Sequence, residues 1–586
     1  MINPVHPSLI FILAALALPL LRARILKQAL LLAAPLIALA DLMSLTPGQY
    51  WTYRFMTYDL VLGRVDSLSI CFAYVFVVMA FLGTVYALHV KEDGQHAAAL
   101  LYAGGTLGVT LAGDFFTLFA FWELMALSSV FLIWYRKSRQ ALAAGFRYLL
   151  IHLFGGALLL AGIVMEVGGT GSLAFGTLQT GTASSTLMLL GFMINGAVPP
   201  LHAWLSDAYP EATVTGTVFL SAFTTKSAVY VLLRAFPGSE LLIWLGTIMA
   251  LYGIVYAMIE NDIRRLLSYH IISQVGFMIC GVGLGTELAM NGSAAHAFCN
   301  IFCKSLLFMA TGGVLYVTGK SRMTDLQGRD LYRSMPLCLL FYYVGAFSIS
   351  AVPLFNCFVS KRMLMHAVAE IHLPAVYLLL NLVSIGTFLS ISLKLPLGTW
   401  FGSASRPDAH GGIKAHEPPV NMLVAMGMTG FICVLIGVYP RSLQAILPFP
   451  VDFQPYNYYS VMTWTHVLMA ALLGYVLMRR LAKPDAKINL DLDWFYRRGA
   501  AHFMKGCYYL AGRRNDLQGA AGRVVAAAQW ACKNPMAALS SFSSGRGTME
   551  RYDPDAGRQA IGLGVLYFLF IFSLLLTIFL LSAGIG

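Results

Sequence analysis

Hydrophobic positions run in stretches of about 18 to 23 residues between short polar or basic islands, the length a helix needs to cross about 30 Å of hydrocarbon. About sixteen membrane helices are predicted, near 8–21, 28–43, 67–89, 97–112, 114–134, 144–166, 186–206, 214–235, 240–260, 266–285, 294–316, 336–370, 373–395, 420–440, 460–478 and 560–582. The segment 479–559 breaks the pattern. It mixes basic pairs (Arg497 and Arg498, Arg513 and Arg514) with Phe503, Met504, Tyr508, Val524, Val525 and Trp530, as an amphipathic helix lying along a membrane face would. The alternative is a solvated basic linker that attracts anionic lipid. The fold class is therefore all-α and polytopic.

Composition sharpens this. Of 586 residues 58% are hydrophobic and 11% charged, against roughly 25% charged in soluble domains. A soluble globule, a disordered chain and a nucleic-acid-binding surface are excluded, because the net charge of +12 sits in loops. Alternate loops collect Arg22, Arg24 and Lys27; Arg136, Lys137, Arg139 and Arg147; Arg264 and Arg265; and Lys320, Arg322, Arg329 and Arg333. By the positive-inside rule that side is cytoplasmic and the N-terminus lies outside, in a bacterial inner membrane. Asp262, Arg264 and Arg265 read as a topology-setting turn. Residues Met1 to Ser8 lack a basic region, so the first run reads as a retained span. The nine cysteines are scattered through apolar runs without metal-site spacing and read as small apolar residues, with no metal or cofactor expected.

One repeat stands out. Ala197-Val198-Pro199 and Ala351-Val352-Pro353 each fall in the middle of an apolar run, 351 − 197 = 154 residues apart. Proline in mid-span removes a backbone hydrogen bond and breaks the helix. Paired broken helices in two halves of a chain point to a transporter built of inverted repeats, with its ion path at the breaks.

Charges within the membrane need a reason, since each costs about 2.5 to 3.5 kcal/mol at the centre. Glu123, Lys226 and Lys304 each lie near the middle of a span, and three ionisable groups at one depth can form a row that moves protons laterally. The alternative is a static ion pair that fixes packing. His296, Asn300 and Lys304 share one helix stripe. His270 reads equally as a relay or a packing group. Lys361, after the second break, suits an exit-side charge. His202 and Asp207, after the first, suit a proton entrance or a solvated loop.

These residues bring a family into view. Trp122-Glu123-Leu124, the block from Pro200 to Asp207, Thr225-Lys226-Ser227, Asp262 to Ser273, His296 to Phe308 and Val352 to Lys361 resemble, in order, motifs of the antiporter-like subunits of respiratory complex I and of Mrp-type multisubunit cation/proton antiporters, especially the D-type component of the latter. The resemblance covers about residues 67–480. It implies Glu123 as first member of a charge pair, Lys226 and Lys304 as members of a proton-conducting axis, and Lys361 as its end. It also implies a lateral helix and an extra span, similar to 479–582. Two departures stand out: where the family carries a lysine opposite the glutamate this chain has Asn195, and where it carries a second histidine this chain has Asn300.

The expected organisation is N-terminal helices over 1–96, a first antiporter-like repeat over 97–285, a second half over 286–480, an amphipathic segment over 481–559 and a last helix over 560–586. The expected function is translocation of H⁺ or Na⁺ within a multisubunit membrane complex, with other membrane subunits and lipids as partners and no redox site of its own. The alternatives are a non-conducting anchor of a hydrogenase or dehydrogenase, and a proton-coupling subunit for uptake of a solute such as inorganic carbon.

Overall fold

The computed structural model describes residues 4–327, 330–401, 415–478, 490–533, 535, 539 and 561–583. The chain opens with α1 (Pro7–Ala17), a 3₁₀ turn at Leu18–Leu20, and α2 (Arg24–Ser44). A hairpin follows, β1 (Gly48–Phe55) antiparallel to β2 (Tyr58–Val65), with Gly48 opposite Val65 and Phe55 opposite Tyr58. This departs from the wholly helical expectation. The segment lies between two apolar runs, and its Tyr50, Trp51, Thr52, Tyr53 and Val61 favour a pleated pair.

Helices make up the rest: α3 (Ser67–Ala87), α4 (Asp93–Leu111), α5 (Phe115–Trp134), α6 (Arg139–Thr170), α7 (Ala183–Asn195) and the short α8 (Ala203–Ala208). Then come α9 (Val214–Ala222), α10 (Thr224–Ala235), α11 (Glu240–Ile259), α12 (Ile263–Leu284) and α13 (Glu287–Thr318). Two single turns, α14 (Met323–Leu326) and α15 (Leu331–Ser334), lead to α16 (Pro336–Ile349), α17 (Asn356–Glu370) and α18 (Pro374–Thr387). A π-helical stretch, Phe388–Lys394, joins α18 to α19 (Leu395–Thr399), followed by α20 (Val420–Val438), α21 (Arg441–Gln444) and α22 (Tyr458–Met478). The helices α23 (Asp493–Lys533) and α24 (Ile561–Ala583) complete the described chain.

Among the described residues, twelve helices are long and apolar enough to cross a membrane, and the chain is a multi-pass membrane protein. That is fewer than the sixteen apolar runs. Pro7–Leu20, Ala183–Asn195 and Pro336–Ile349 are shorter apolar helices, the last two cut off by the breaks described below. The fourth, α4, opens on Asp93, Gln95 and His96.

Local chemistry sets the ends. Asp66 caps α3 in a reciprocal box with Ser69: its carboxylate accepts from Ser69 N at 2.9 Å and Ser69 Oγ accepts from Asp66 N at 2.8 Å. Asp114 and Asp262 cap α5 and α12 in the same sense. The core inverts the usual soluble arrangement. The apolar windows of Val214–Ala235 and Ile263–Leu284 are wholly buried, and with α13 they place Lys226, His270, His296 and Lys304 inside the bundle. Outer helices instead expose Leu153, Phe154, Ile248 and Phe431, a surface suited to lipid.

Two compact units are present, Met1–Asp493 and Trp494–Gly586. Within the second, the apolar residues of α24 are exposed along its length. The basic α23 exposes Phe503, Tyr508 and Val524.

Candidate functional site

Both breaks have the same backbone. After α7, Ala197 takes a left-handed conformation (φ 54°); its N–H donates to Ile194 O at 3.0 Å, and Val198 N–H reaches back to Met193 O at 3.1 Å. After α16, Ala351 does the same (φ 57°), with Ala351 N–H to Ser348 O at 3.1 Å and Val352 N–H to Phe347 O at 3.0 Å. This is the Schellman closure of a helix, built twice on alanine where glycine would be less strained. The prolines finish it. Pro199 and Pro353 have no N–H to offer Asn195 and Ile349, four residues back, so those carbonyls lose their helical partner.

Lysines serve the carbonyls that breaks release. Lys361 Nζ donates to Ile349 O at 2.9 Å. A third interruption, at Phe223 between α9 and α10, frees Ser221 O from Thr225 N–H, and Lys226 Nζ takes it at 2.8 Å. At the same kink Thr224 N–H donates to Tyr102 Oη at 3.0 Å. Lys304, in the unbroken α13, donates to Leu267 O at 3.3 Å. All three lysines are buried, and Lys304 lies within electrostatic reach of both Lys226 and Lys361. Lys361 also sits 5.1 Å from the centre of the Phe277 ring. No carboxylate bonds any of the three among the described residues.

His296 bridges two elements, with Nδ1 3.1 Å from Ser360 Oγ on α17 and Nε2 3.2 Å from Gln274 Oε1 on α12. His270 Nε2 lies 2.7 Å from Ser390 Oγ in the π-helical stretch, and electrostatically it meets Lys304, Lys361 and Lys394. Lys394 is a buried charge that sequence reasoning missed. It donates to Met258 O at 2.6 Å and Glu260 O at 2.7 Å, closing the end of α11. Its signal is a lysine within the apolar run 373–395.

Glu123 stands differently. Its carboxylate packs against the backbone of α6 at Gly156, where an added Cβ would collide with Oε1, and that oxygen is buried with no hydrogen-bond partner among the described residues. The side-chain amides of Asn195 and Asn300 are likewise buried, with neither polar atom partnered among the described residues. An unmet buried polar group costs about 1 to 3 kcal/mol. These three are the first member of the expected charge pair and the two positions that depart from the family pattern.

The residues after the first break join a second polar cluster. His202 Nε2 donates to Asp491 Oδ1 at 3.2 Å, Ser206 Oγ to Oδ2 at 3.2 Å, Tyr252 Oη to Oδ1 at 2.5 Å and Tyr269 Oη to Oδ2 at 2.6 Å. Burial pushes the Asp491 carboxyl up, but the bonds from His202, Tyr252 and Tyr269 outweigh it and hold the group well below the usual carboxylate range. Asp207 pairs with Arg147 through two bonds of 2.7 and 3.0 Å, so it is a bridged residue. Sequence reasoning missed Asp491, whose partners lie more than 200 residues away. Arg264 is buried too. It donates to Pro210 O and Ala212 O at 2.8 and 2.9 Å, tying the Asp262 turn to the chain after the first break, which is a packing role in addition to a topological charge.

A broken-helix bundle with a buried lysine row defines a class, the antiporter-like membrane subunits. Residues 112–390 match the model of the family described as NADH:quinone oxidoreductase/Mrp antiporter, transmembrane region. It is 27% identical to NADH-quinone oxidoreductase subunit N of Desulforudis audaxviator, over 74% of this chain and 93% of that protein. It is 29% identical to the D component of the Na(+)/H(+) antiporter of Alkalihalophilus pseudofirmus, over 44% of this chain and 56% of that protein. Its fold is shared with a chain in the structure of the membrane-bound sulfane sulfur reductase, an archaeal respiratory membrane complex, at a TM-score of 0.69 and 21% identity, covering 98% of this chain and 99% of that one.

Proposed function

We propose that the chain moves protons, or Na⁺ in exchange for protons, along the row Lys226, Lys304 and Lys361, with Glu123 at its head and His296 and Asn300 beside it. The carrying observation is that three buried lysines within electrostatic reach donate to backbone carbonyls and, among the described residues, to no carboxylate, two of those carbonyls being released by helix breaks. A carbonyl bonds an ammonium or a neutral amine, so each lysine can change charge without losing its place. The buried amides of Asn195 and Asn300, unpartnered among the described residues, fit a hydrated path between the charged groups. His270 relays towards Lys394, and His202 with Asp207 marks the entrance side.

The proposal includes sixteen crossings in a bacterial cytoplasmic membrane, inverted repeats over 97–285 and 286–480, the basic loops inside, and the described part of the amphipathic segment, 490–533, lying along the inner face, the rest of 481–559 falling almost wholly outside the described residues. The subunit works beside other membrane subunits that supply the energy. Its likeness to components of a quinone oxidoreductase and of a cation antiporter supports this setting. Topology is tested by labelling single cysteines from outside: Ser172→Cys should react and Lys320→Cys should not, and the reverse pattern refutes the orientation.

Function is tested in vesicles holding the whole complex. Lys226→Met and Lys304→Met should each abolish proton flux while the complex still assembles; normal flux in both variants refutes the proposal. A second reading, a non-conducting anchor for a hydrogenase or dehydrogenase, is favoured by one observation, that Glu123 and Asn195 make no bond to each other.

A further inference from the structure

No carboxylate bonds Lys226, Lys304 or Lys361 among the described residues, and the structure places an acid of another kind beside them. Cys303 on α13 and Cys357 on α17 place their sulfur atoms 3.5 Å apart, within hydrogen-bond distance for thiols, and both side chains are fully buried. Cys303 precedes Lys304 in the chain and lies within electrostatic reach of Lys226, Lys304 and Lys361 alike. The thiol pair is thus an acid within electrostatic reach of all three lysines.

We propose that Cys303 and Cys357 form a proton-exchanging dithiol, the counter-anion of the axis. This rests on the ion-translocation reading above. A neutral Lys304 amine takes the proton of Cys303 S–H and becomes an ammonium. The thiolate left behind accepts the S–H of Cys357, and the return step restores thiol and amine with no net gain or loss of protons. A thiol suits this task because its ordinary acidity lies nearer that of an amine than a carboxylate's does, so proton exchange with lysine is closer to balanced. A carboxylate in its place would bias the lysines further towards the charged form.

Besides the three lysines, Cys299 on α13 and Cys433 on α20 lie within electrostatic reach of Cys303, while His270 on α12 and His296 on α13 reach the lysines and Cys71 on α3 reaches Cys299. On α16, Cys338 and Tyr342 are directed elsewhere, to Ala310 O and Ile391 O, and α9 carries no titratable side chain.

The test is infrared difference spectroscopy of the intact complex through the S–H stretching region, which other protein groups leave clear, combined with proton flux. Subtracting the spectrum of Cys303→Ser isolates the Cys303 band. In the wild type this band should lose intensity as pH rises, and Lys304→Met should change that titration. Cys303→Ser, whose hydroxyl keeps a hydrogen bond but does not ionise here, should lower flux roughly tenfold or more and assemble normally. A Cys303 band that is constant with pH and unchanged by Lys304→Met overturns the proposal, as does wild-type flux in the Cys303→Ser, Cys357→Ser double variant. If the wild type itself carries no flux the transport reading fails, whereas the S–H titration still decides the thiol chemistry.

Discussion

Lys361 Nζ lies 2.9 Å from the carbonyl oxygen of Ile349, the acceptor that Pro353 leaves unserved. One side chain thus closes a broken helix and, on the proposed path, ends the row of charges. The two can be separated. Lys361→Gln keeps a donor and loses the charge, so it should retain stability and lose proton flux. Lys361→Met loses both, and should lower stability by a further 1 to 3 kcal/mol, about the cost of an unmet buried carbonyl. Thermal melting in detergent and flux in vesicles check the pair; equal melting of the two variants would show that the bond to Ile349 carries no weight.

The contact of Glu123 with Gly156 gives a second handle. No methyl group fits between α6 and the Glu123 carboxylate, so Gly156→Ala should displace Glu123 and reduce flux about as far as Glu123→Gln does. Gly168, on the same helix with nothing within 4 Å of a built Cβ, is the control. Gly168→Ala should leave flux unchanged and stabilise by about 0.5 to 1 kcal/mol through lower unfolded-chain entropy. Reduced flux in the control would mean that helix stiffness, and not the carboxylate, is being read.

How much of this was legible in the sequence follows from what each feature depends on. The membrane runs were legible because apolar length is local, and so were Lys226, Lys304 and Lys361, because a charge in such a run stands out. The repeat was legible at Ala197 and Ala351 for a local reason, since proline and an αL closure are coded by neighbours. Its continuation was harder to see. At the same spacing Ser206 matches Ser360, but Asp207 matches Lys361, so the two half-helices carry opposite charges and the likeness fades beyond the breaks. The hairpin at 48–65 was hidden because membrane periodicity says nothing of a short amphipathic pair. Asp491 was hidden for a topological reason. A single acid in a polar segment carries no pattern, and only the fold brings His202, Tyr252 and Tyr269 to it.

Asn195 separates the two functional readings. If the chain conducts protons through Glu123, a cation on the end of α7 must alter the exchange, because a nearby ammonium stabilises a carboxylate. Asn195→Lys should then shift the pH profile of flux, and the infrared carboxyl band removed by Glu123→Gln should titrate at a different pH. A passive anchor should show neither effect, only a packing cost, since Asn195 is buried. Flux that ignores Asn195→Lys, Glu123→Gln and Lys226→Met together would leave the anchor as the standing reading.

Asp491 makes a prediction in pH. Its carboxyl is held below the ordinary range by donors from α11, α12 and the residues after the first break, so the native state binds its proton more weakly than the unfolded chain does. The sign follows: the stabilisation is complete above the unfolded value, about 3.9, and is lost as pH falls below that towards the native one. Asp491→Asn removes the charge and leaves Tyr252, Tyr269 and His202 competing for one carbonyl, at a cost of about 3 kcal/mol. The melting-temperature gap between wild type and Asp491→Asn should therefore be constant from pH 7 to about 5 and narrow below about pH 4. A gap that widens on acidification would mean that Asp491 is not the ionised centre of this cluster. A gap absent at every pH would mean that the four donors find equivalent partners without it.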